Sequence, residues 1–434
     1  MAALPPRRGH LQPEPQIHRE VLRNGLVVIT HPMPHVRSVS VGIWLRTGSR
    51  REPADLNGIT HFIEHMVFKG TERRTAEQIA RAVDGVGGML DAFTSKELTC
   101  FNTKVLDEHL PIAFEILADM VRRPLFGDDD IRKEKSVVLE EIKMDHDNPD
   151  YVVHELFTQG FWPAHPLGKP IIGTPKTVRR FKRAVLADCF AQWYVPGNMV
   201  IVAAGNVTPQ QLRELAEREF GDLSRDGDVP VSLIPKAAPH LTLRPRHELA
   251  QVHLCLGVRA YPMAHEKRFV MALLSNVLGG GTSSRLFQSV RERQGLAYSV
   301  YSDLNLYRDA GTMTVYAGTS LPHAEKVIRT IVSELRLLKQ EPVPPDELQR
   351  VKDNVRGSLL LSLESTGSRM HHVARQEIFF GQFHTVEQLL GGIEAVTAEE
   401  VQALAQEFFH TDAIAATLVG NLEGFRLKRD MLAC

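Results

Sequence analysis

The run Asn198-Met199-Val200-Ile201-Val202-Ala203-Ala204-Gly205-Asn206 has a partner in Ala413-Ile414-Ala415-Ala416-Thr417-Leu418-Val419-Gly420-Asn421, another apolar strand pattern closed by Gly-Asn. A helical pattern precedes each: Ala187-Asp188-Cys189-Phe190-Ala191-Gln192-Trp193-Tyr194 in the first case, Val401-Gln402-Ala403-Leu404-Ala405-Gln406-Glu407-Phe408-Phe409 in the second. The two Gly-Asn pairs are 215 residues apart (420 − 205), and the same offset carries Val41-Gly42 onto Leu256-Gly257. Two halves of one fold therefore follow each other, with strands and helices alternating in each. The joint falls in the polar, proline-bearing stretch that begins Asp222-Leu223-Ser224-Arg225-Asp226-Gly227-Asp228-Val229-Pro230. This gives a domain at residues 17–222, a linker at 223–239 and a second domain at 240–434. Residues 1–16, rich in Pro, Arg and Gln, read as a disordered N-terminal tail.

Bulk properties set the frame. A chain of 434 residues, 43% of them hydrophobic, is ample for two or more domains. With 51 basic and 52 acidic residues the net charge is −1, which gives no reason to expect nucleic acid or a membrane surface as partner. The first 16 residues lack an apolar signal core, and no run of 18 apolar residues occurs, so a cytoplasmic protein is expected. Cys100, Cys189, Cys255 and Cys434 lie far apart, which suits a reducing compartment and buried or incidental thiols.

Several elements are legible in order. Glu20 to Ile29 reads as a hairpin around Asn24-Gly25, and Ser38 to Leu45 as a strand. Thr75 with Gln78 forms a capping box opening a helix that ends near Gly85. Gly87 to Ser95 and Glu97 to Asn102 read as strands.

The chemistry concentrates in His61-Phe62-Ile63-Glu64-His65, inside an apolar run from Asn57 to Gly70. On a helix, His61 and His65 stack on one face, and two imidazoles so placed can hold one zinc. Glu64 points to the same side, free to act on a water at the metal. This His-x-x-Glu-His order inverts the common metalloprotease motif. The duplication offset carries His61 onto Asn276, so only the first half keeps the ligands. A third protein ligand is needed. Residues 128–147 read as a helix, acidic at its start and stopped before Pro149, on which Glu134, Val138 and Glu141 share a face. Glu140 points about 100° away from Glu141, so only one of that pair can be the ligand.

These residues resemble the pitrilysin or insulinase family of zinc peptidases, and within it the small processing-peptidase branch, over nearly the whole chain. The resemblance implies one zinc per chain, held by His61, His65 and Glu141, with Glu64 as general base and Glu134 supporting the site. It places Leu90, Ala92, Phe93 and Thr94 on a sheet edge where an extended peptide adds as a strand. It also matches Arg291 and Tyr298, in the second half, to an Arg and Tyr that reach the zinc site, the Tyr hydroxyl donating to the oxyanion. Metal on one half and oxyanion donor on the other imply α+β domains facing each other across a cleft. The expected activity is zinc-dependent hydrolysis of peptides or unfolded segments. With every motif residue present in one chain, a catalytic homodimer is the simplest expectation, and the alternative is a subunit that is non-catalytic or needs a homologue lacking the motif. Gly279-Gly280-Gly281 reads as a turn or a close-approach loop, and His165, His371 and His372 lack ligand spacing.

Overall fold

The computed structural model describes residues 16–224 and 233–434, so all but the last residue of the expected tail and the middle of the expected linker lie outside the described residues. Among the described residues eleven strands form two sheets. In the first half these are β1 (His18–Val21), β2 (Val27–Pro32), β3 (Ser38–Leu45), β4 (Met89–Thr94), β5 (Thr99–Leu106) and β6 (Met199–Gly205). In the second half they are β7 (Leu241–Pro245), β8 (Val252–Ala260), β9 (Ala297–Leu306), β10 (Gly311–Thr319) and β11 (Ala415–Gly420).

The sheets repeat one topology. The first runs β1-β2-β6-β3-β5-β4 and the second β7-β11-β8-β10-β9. The parallel pair β2·β6 matches β7·β11, and the antiparallel ladder β6·β3·β5·β4 matches β11·β8·β10·β9. The first half adds the hairpin strand β1, which pairs Val21 with Val27 around Asn24-Gly25. β4 and β9 are equivalent edge strands.

Every residue of β6 is buried, which explains its unbroken apolar run: side chains alternate between faces, and both faces are covered. Met199, Ile201 and Ala203 join the first half's own core, whereas Val200, Val202 and Ala204 face the other way. What covers that second face comes from the other half. Met370, Val373 and Ala374 of the helix Thr366–Arg375 pack there, beside Trp44 and Val27. Reciprocally, Val153, Phe157 and Phe161 of the helix Pro149–Phe161 pack on Cys255, Tyr316, Ala415 and Val419 of the second sheet. The packing thus crosses the sequence boundary between the halves.

The repeated glycines mark these crossings. A Cβ on Gly42 would lie 3.1 Å from Met370 Sδ, and one on Gly257 would lie 2.6 Å from Phe157 Cζ. A bare strand position admits the visiting side chain in each case.

Between the halves lies a cleft with a cavity of about 550 Å³, walled by the β4–β5 turn (Ser95 to Leu98), Tyr151, Glu155, Tyr301 and Leu304. At the cleft edge Arg50 clasps Asp309 of the second half with both terminal nitrogens, at 2.7 and 2.6 Å, while also pairing with Glu97 at 2.7 Å.

Candidate active site

The motif helix spans Ile59–Val67, and the long acidic-headed helix spans Asp128–Asp147. The first is short and almost wholly buried, because Ile59, Phe62, Ile63 and Met66 fill the first core. The second helix lays Ile131, Glu134, Val138 and Ile142 inward. Where the two helices meet, the imidazole rings of His61 and His65 sit 4.6 Å apart by centroid. Glu141 Oε1 is 3.6 Å from His61 Nε2, and Glu141 Oε2 is 3.6 Å from His65 Nε2. Glu140 instead turns outward to an exposed pair with Lys143, which leaves Glu141 as the carboxylate at the site.

These separations are too long for hydrogen bonds but suit ligands around a common ion. Nitrogen and oxygen donors about 2.1 Å from a tetrahedral centre stand roughly 3.4 Å from each other. Oε2 of Glu141 is buried without a hydrogen-bond partner, an unmet need that a cation would satisfy. His61, His65 and Glu141 form the one cluster of at least three potential ligands among the described residues. The donor set, two imidazoles and a carboxylate, fits zinc with a position left for water.

The neighbouring charges prepare these groups. Burial and the nearby His65 push His61 down to about 3, so its ring is neutral and can act as a ligand. Burial also lowers His65, but the hydrogen bond to Glu134 and the charges of Glu141, Glu134 and Glu64 outweigh it and raise the pKa. His65 Nδ1 donates to Glu134 Oε2 at 3.0 Å, which turns Nε2 toward Glu141. Lys69 Nζ holds the other oxygen of Glu134 at 2.6 Å. Burial raises Glu134, yet the hydrogen bonds from His65 and Lys69 prevail and keep its carboxyl below the usual range. Glu64 is raised, chiefly by burial, against the hydrogen bond from Thr94. A carboxylate so raised is a better proton acceptor near neutral pH.

Thr94 Oγ1 donates to Glu64 Oε2, a link not anticipated from sequence. Thr94 ends the edge strand β4, which among the described residues pairs with β5 alone. The other expected substrate-strand residues are engaged by the fold itself. Leu90 and Ala92 pack on the first core, and Phe93 meets Trp44 edge-on at 5.7 Å. What β4 leaves for a ligand is its backbone edge.

Arg291 and Tyr298 pair with each other, the guanidinium 4.7 Å from the ring centroid, and a second ring, Phe287, lies at the same distance. Tyr298 is 77% exposed. Among the described residues no hydrogen bond, ion pair or ring contact joins either of them to His61, Glu64, His65 or Glu141. The glycine turn serves the fold: a Cβ on Gly279 would lie 2.4 Å from the Ser302 backbone nitrogen of β9. His165 is buried and hydrogen-bonded to Leu167 N–H and the Leu233 carbonyl, His371 packs edge-on against Trp44, and neither joins the His61, His65 and Glu141 cluster.

Residues 27–175 match the family model described as insulinase (peptidase family M16), and residues 180–355 match the model described as peptidase M16 inactive domain. A Bacillus subtilis protein named an uncharacterized zinc protease is 40% identical over 93% of this chain and 98% of its own length. The chain belongs to the insulinase family, M16. A Mycobacterium tuberculosis relative, also named an uncharacterized zinc protease, is 40% identical over 95% of this chain and 96% of its own. The M16 fold recurs in a Helicobacter pylori protease structure, with a TM-score of 0.88 at 22% identity over 93% of this chain and 99% of that one. A Pseudomonas fluorescens structure titled peptidase M16 inactive domain gives a TM-score of 0.87 at 18% identity, over 93% and 98%. Membership in M16, with relatives named zinc proteases, supports a protease role. Among the described residues no helix is long and apolar enough to cross a membrane.

Proposed function

We propose that this chain is a zinc-dependent endopeptidase acting on peptides or unfolded segments, with one zinc held by His61, His65 and Glu141. The observation that carries the reading is the convergence of those donors, among them a Glu141 oxygen buried without a partner, with Glu64 on the same short helix as the two histidines. Zinc supplies a Lewis acid there, which acidifies water and polarises a scissile carbonyl. Glu64 takes the proton of the attacking water and later returns it to the leaving amine. Thr94 holds the Glu64 carboxylate in place, and Glu134 fixes the ring of His65. An extended peptide laid along the free edge of β4 brings its carbonyl past these groups.

Tyr298 is the donor proposed for the oxyanion, steadied by Arg291. The crossed helices bind the two halves into one block through shared cores, which opposes a large closing motion within the chain. Together with the exposure of Tyr298, this favours a homodimer in which one copy's Tyr298 meets the other copy's metal site. The intact motif argues against a non-catalytic subunit.

The test is cleavage of a quenched fluorescent peptide by the purified chain, with metal analysis of the same sample. Activity lost on chelation and restored by zinc supports the reading, whereas stoichiometric zinc with no cleavage across a broad peptide set overturns it.

A further inference from the structure

The motif helix begins at a residue that cannot cap it. Gly58, its N-cap, has φ +92°, and a Cβ there would lie 2.6 Å from Gly173 Cα. Glycine alone meets both demands, so the position that ordinarily supplies a capping oxygen has no side chain. A nine-residue helix has little stability of its own, and its first turn frays unless its N–H groups are held.

The missing acceptor comes from outside the helix. Glu52, buried to 5% exposure, accepts the Gly58 N–H at 2.8 Å and Asn57 Nδ2 at 3.0 Å through Oε2. Its Oε1 accepts the Thr60 N–H at 2.9 Å. Asn57 passes the tie onward, donating to the Pro170 carbonyl at 2.8 Å. A carboxylate at this end also meets the positive pole of the helix. Thr60 immediately precedes His61 in the chain. At the opposite end of the helix Glu134 holds His65 by its ring.

We infer that Glu52 is a positioning residue of the metal centre: capping the first turn from a distance, it fixes the backbone of His61 and so the approach of that imidazole to the ion. The inference rests on the reading of His61, His65 and Glu141 as zinc ligands. It assigns the two ends of one short helix to two carboxylates, one governing each histidine.

The experiment is zinc titration of the chelator-stripped chain against a chromophoric competitor, without peptide, for wild type, Glu52→Gln and Leu335→Ala. Leu335 lies in the second core, away from the motif helix, so its truncation lowers Tm without touching the cap. Glu52→Gln is expected to weaken zinc binding about tenfold or more, as loss of an outer partner does at other metal sites, while Leu335→Ala keeps the wild-type Kd. A Glu52→Gln Kd within twofold of wild type, or an equal loss in Leu335→Ala, overturns the inference. Should Glu52→Gln fail to fold, Asn57→Ser cuts the tie to Pro170, with a several-fold loss expected, and an unchanged Kd is equally fatal. Failure of the wild type itself to bind zinc defeats the metal reading, a result distinct from the others.

Discussion

The hydroxyl of Thr94, last residue of the edge strand β4, donates to the carboxylate of Glu64 on the motif helix. The strand proposed to receive substrate is thereby tied to the group proposed to move its protons.

Thr94→Val keeps the shape of the side chain and removes that donor. A hydrogen bond to a charged group contributes about 1.5–3 kcal/mol, so kcat is expected to fall roughly ten- to hundredfold. Thr94→Ser should retain most activity. Steady-state kinetics on one peptide check this, and an unchanged kcat in Thr94→Val would show that Glu64 needs no such support.

Glu64→Gln should abolish turnover while zinc stoichiometry stays at one, because the ligands are intact and the base is gone. Metal analysis and peptide cleavage on the same preparation decide it. Wild-type turnover in a protease-free sample would remove Glu64 from the mechanism.

Tyr298→Phe should raise the barrier by about 2.7–4 kcal/mol if its hydroxyl is a main oxyanion donor. Mixing that variant with Glu64→Gln distinguishes where the hydroxyl comes from. If it acts across a dimer, mixed dimers contain one complete site and activity returns. No recovery after verified subunit exchange would place Tyr298 in its own chain's site or outside catalysis.

Lys96 gives the pH prediction. Burial pushes its ammonium down to about 8, against the attraction of Glu52 and Glu155. Between that value and the ordinary lysine value near 10.4 the unfolded chain binds more protons than the folded one, so folding stability from this group rises with pH across the window. Below about 8 the full cost of the buried charge is present. Lys96→Met should flatten that alkaline rise in Tm; an identical pH profile would mean the ammonium stays hydrated.

Much of this was readable in advance. The motif helix, the Glu134/Glu141 face and the duplicated strands follow from spacings of four, seven and two, which are local properties of helices and strands. The separation of Glu140 from Glu141 needed only the helical rotation. What spacing could not reveal were pairings between distant elements. Val153, Phe157 and Phe161 announce a buried helical face but not that the opposite half's sheet buries it. Glu52 lies six residues before Gly58, outside the window in which a cap is sought, and Thr94 looks like any strand threonine. Arg291 and Tyr298 stand seven apart, but nothing in that spacing says whether they reach a metal site at all, or whose.

The exchange of covering helices has a consequence for how the molecule can be made. A polypeptide ending near residue 222 would leave the β6 face of Val200 and Val202 bare to water, and its own helix Pro149–Phe161 without a sheet to lie on. The second half alone would suffer the mirror deficit. Each half keeps a large core of its own but would expose one apolar sheet face when alone, so a gene severed between them is expected to give products less soluble apart than when synthesised together.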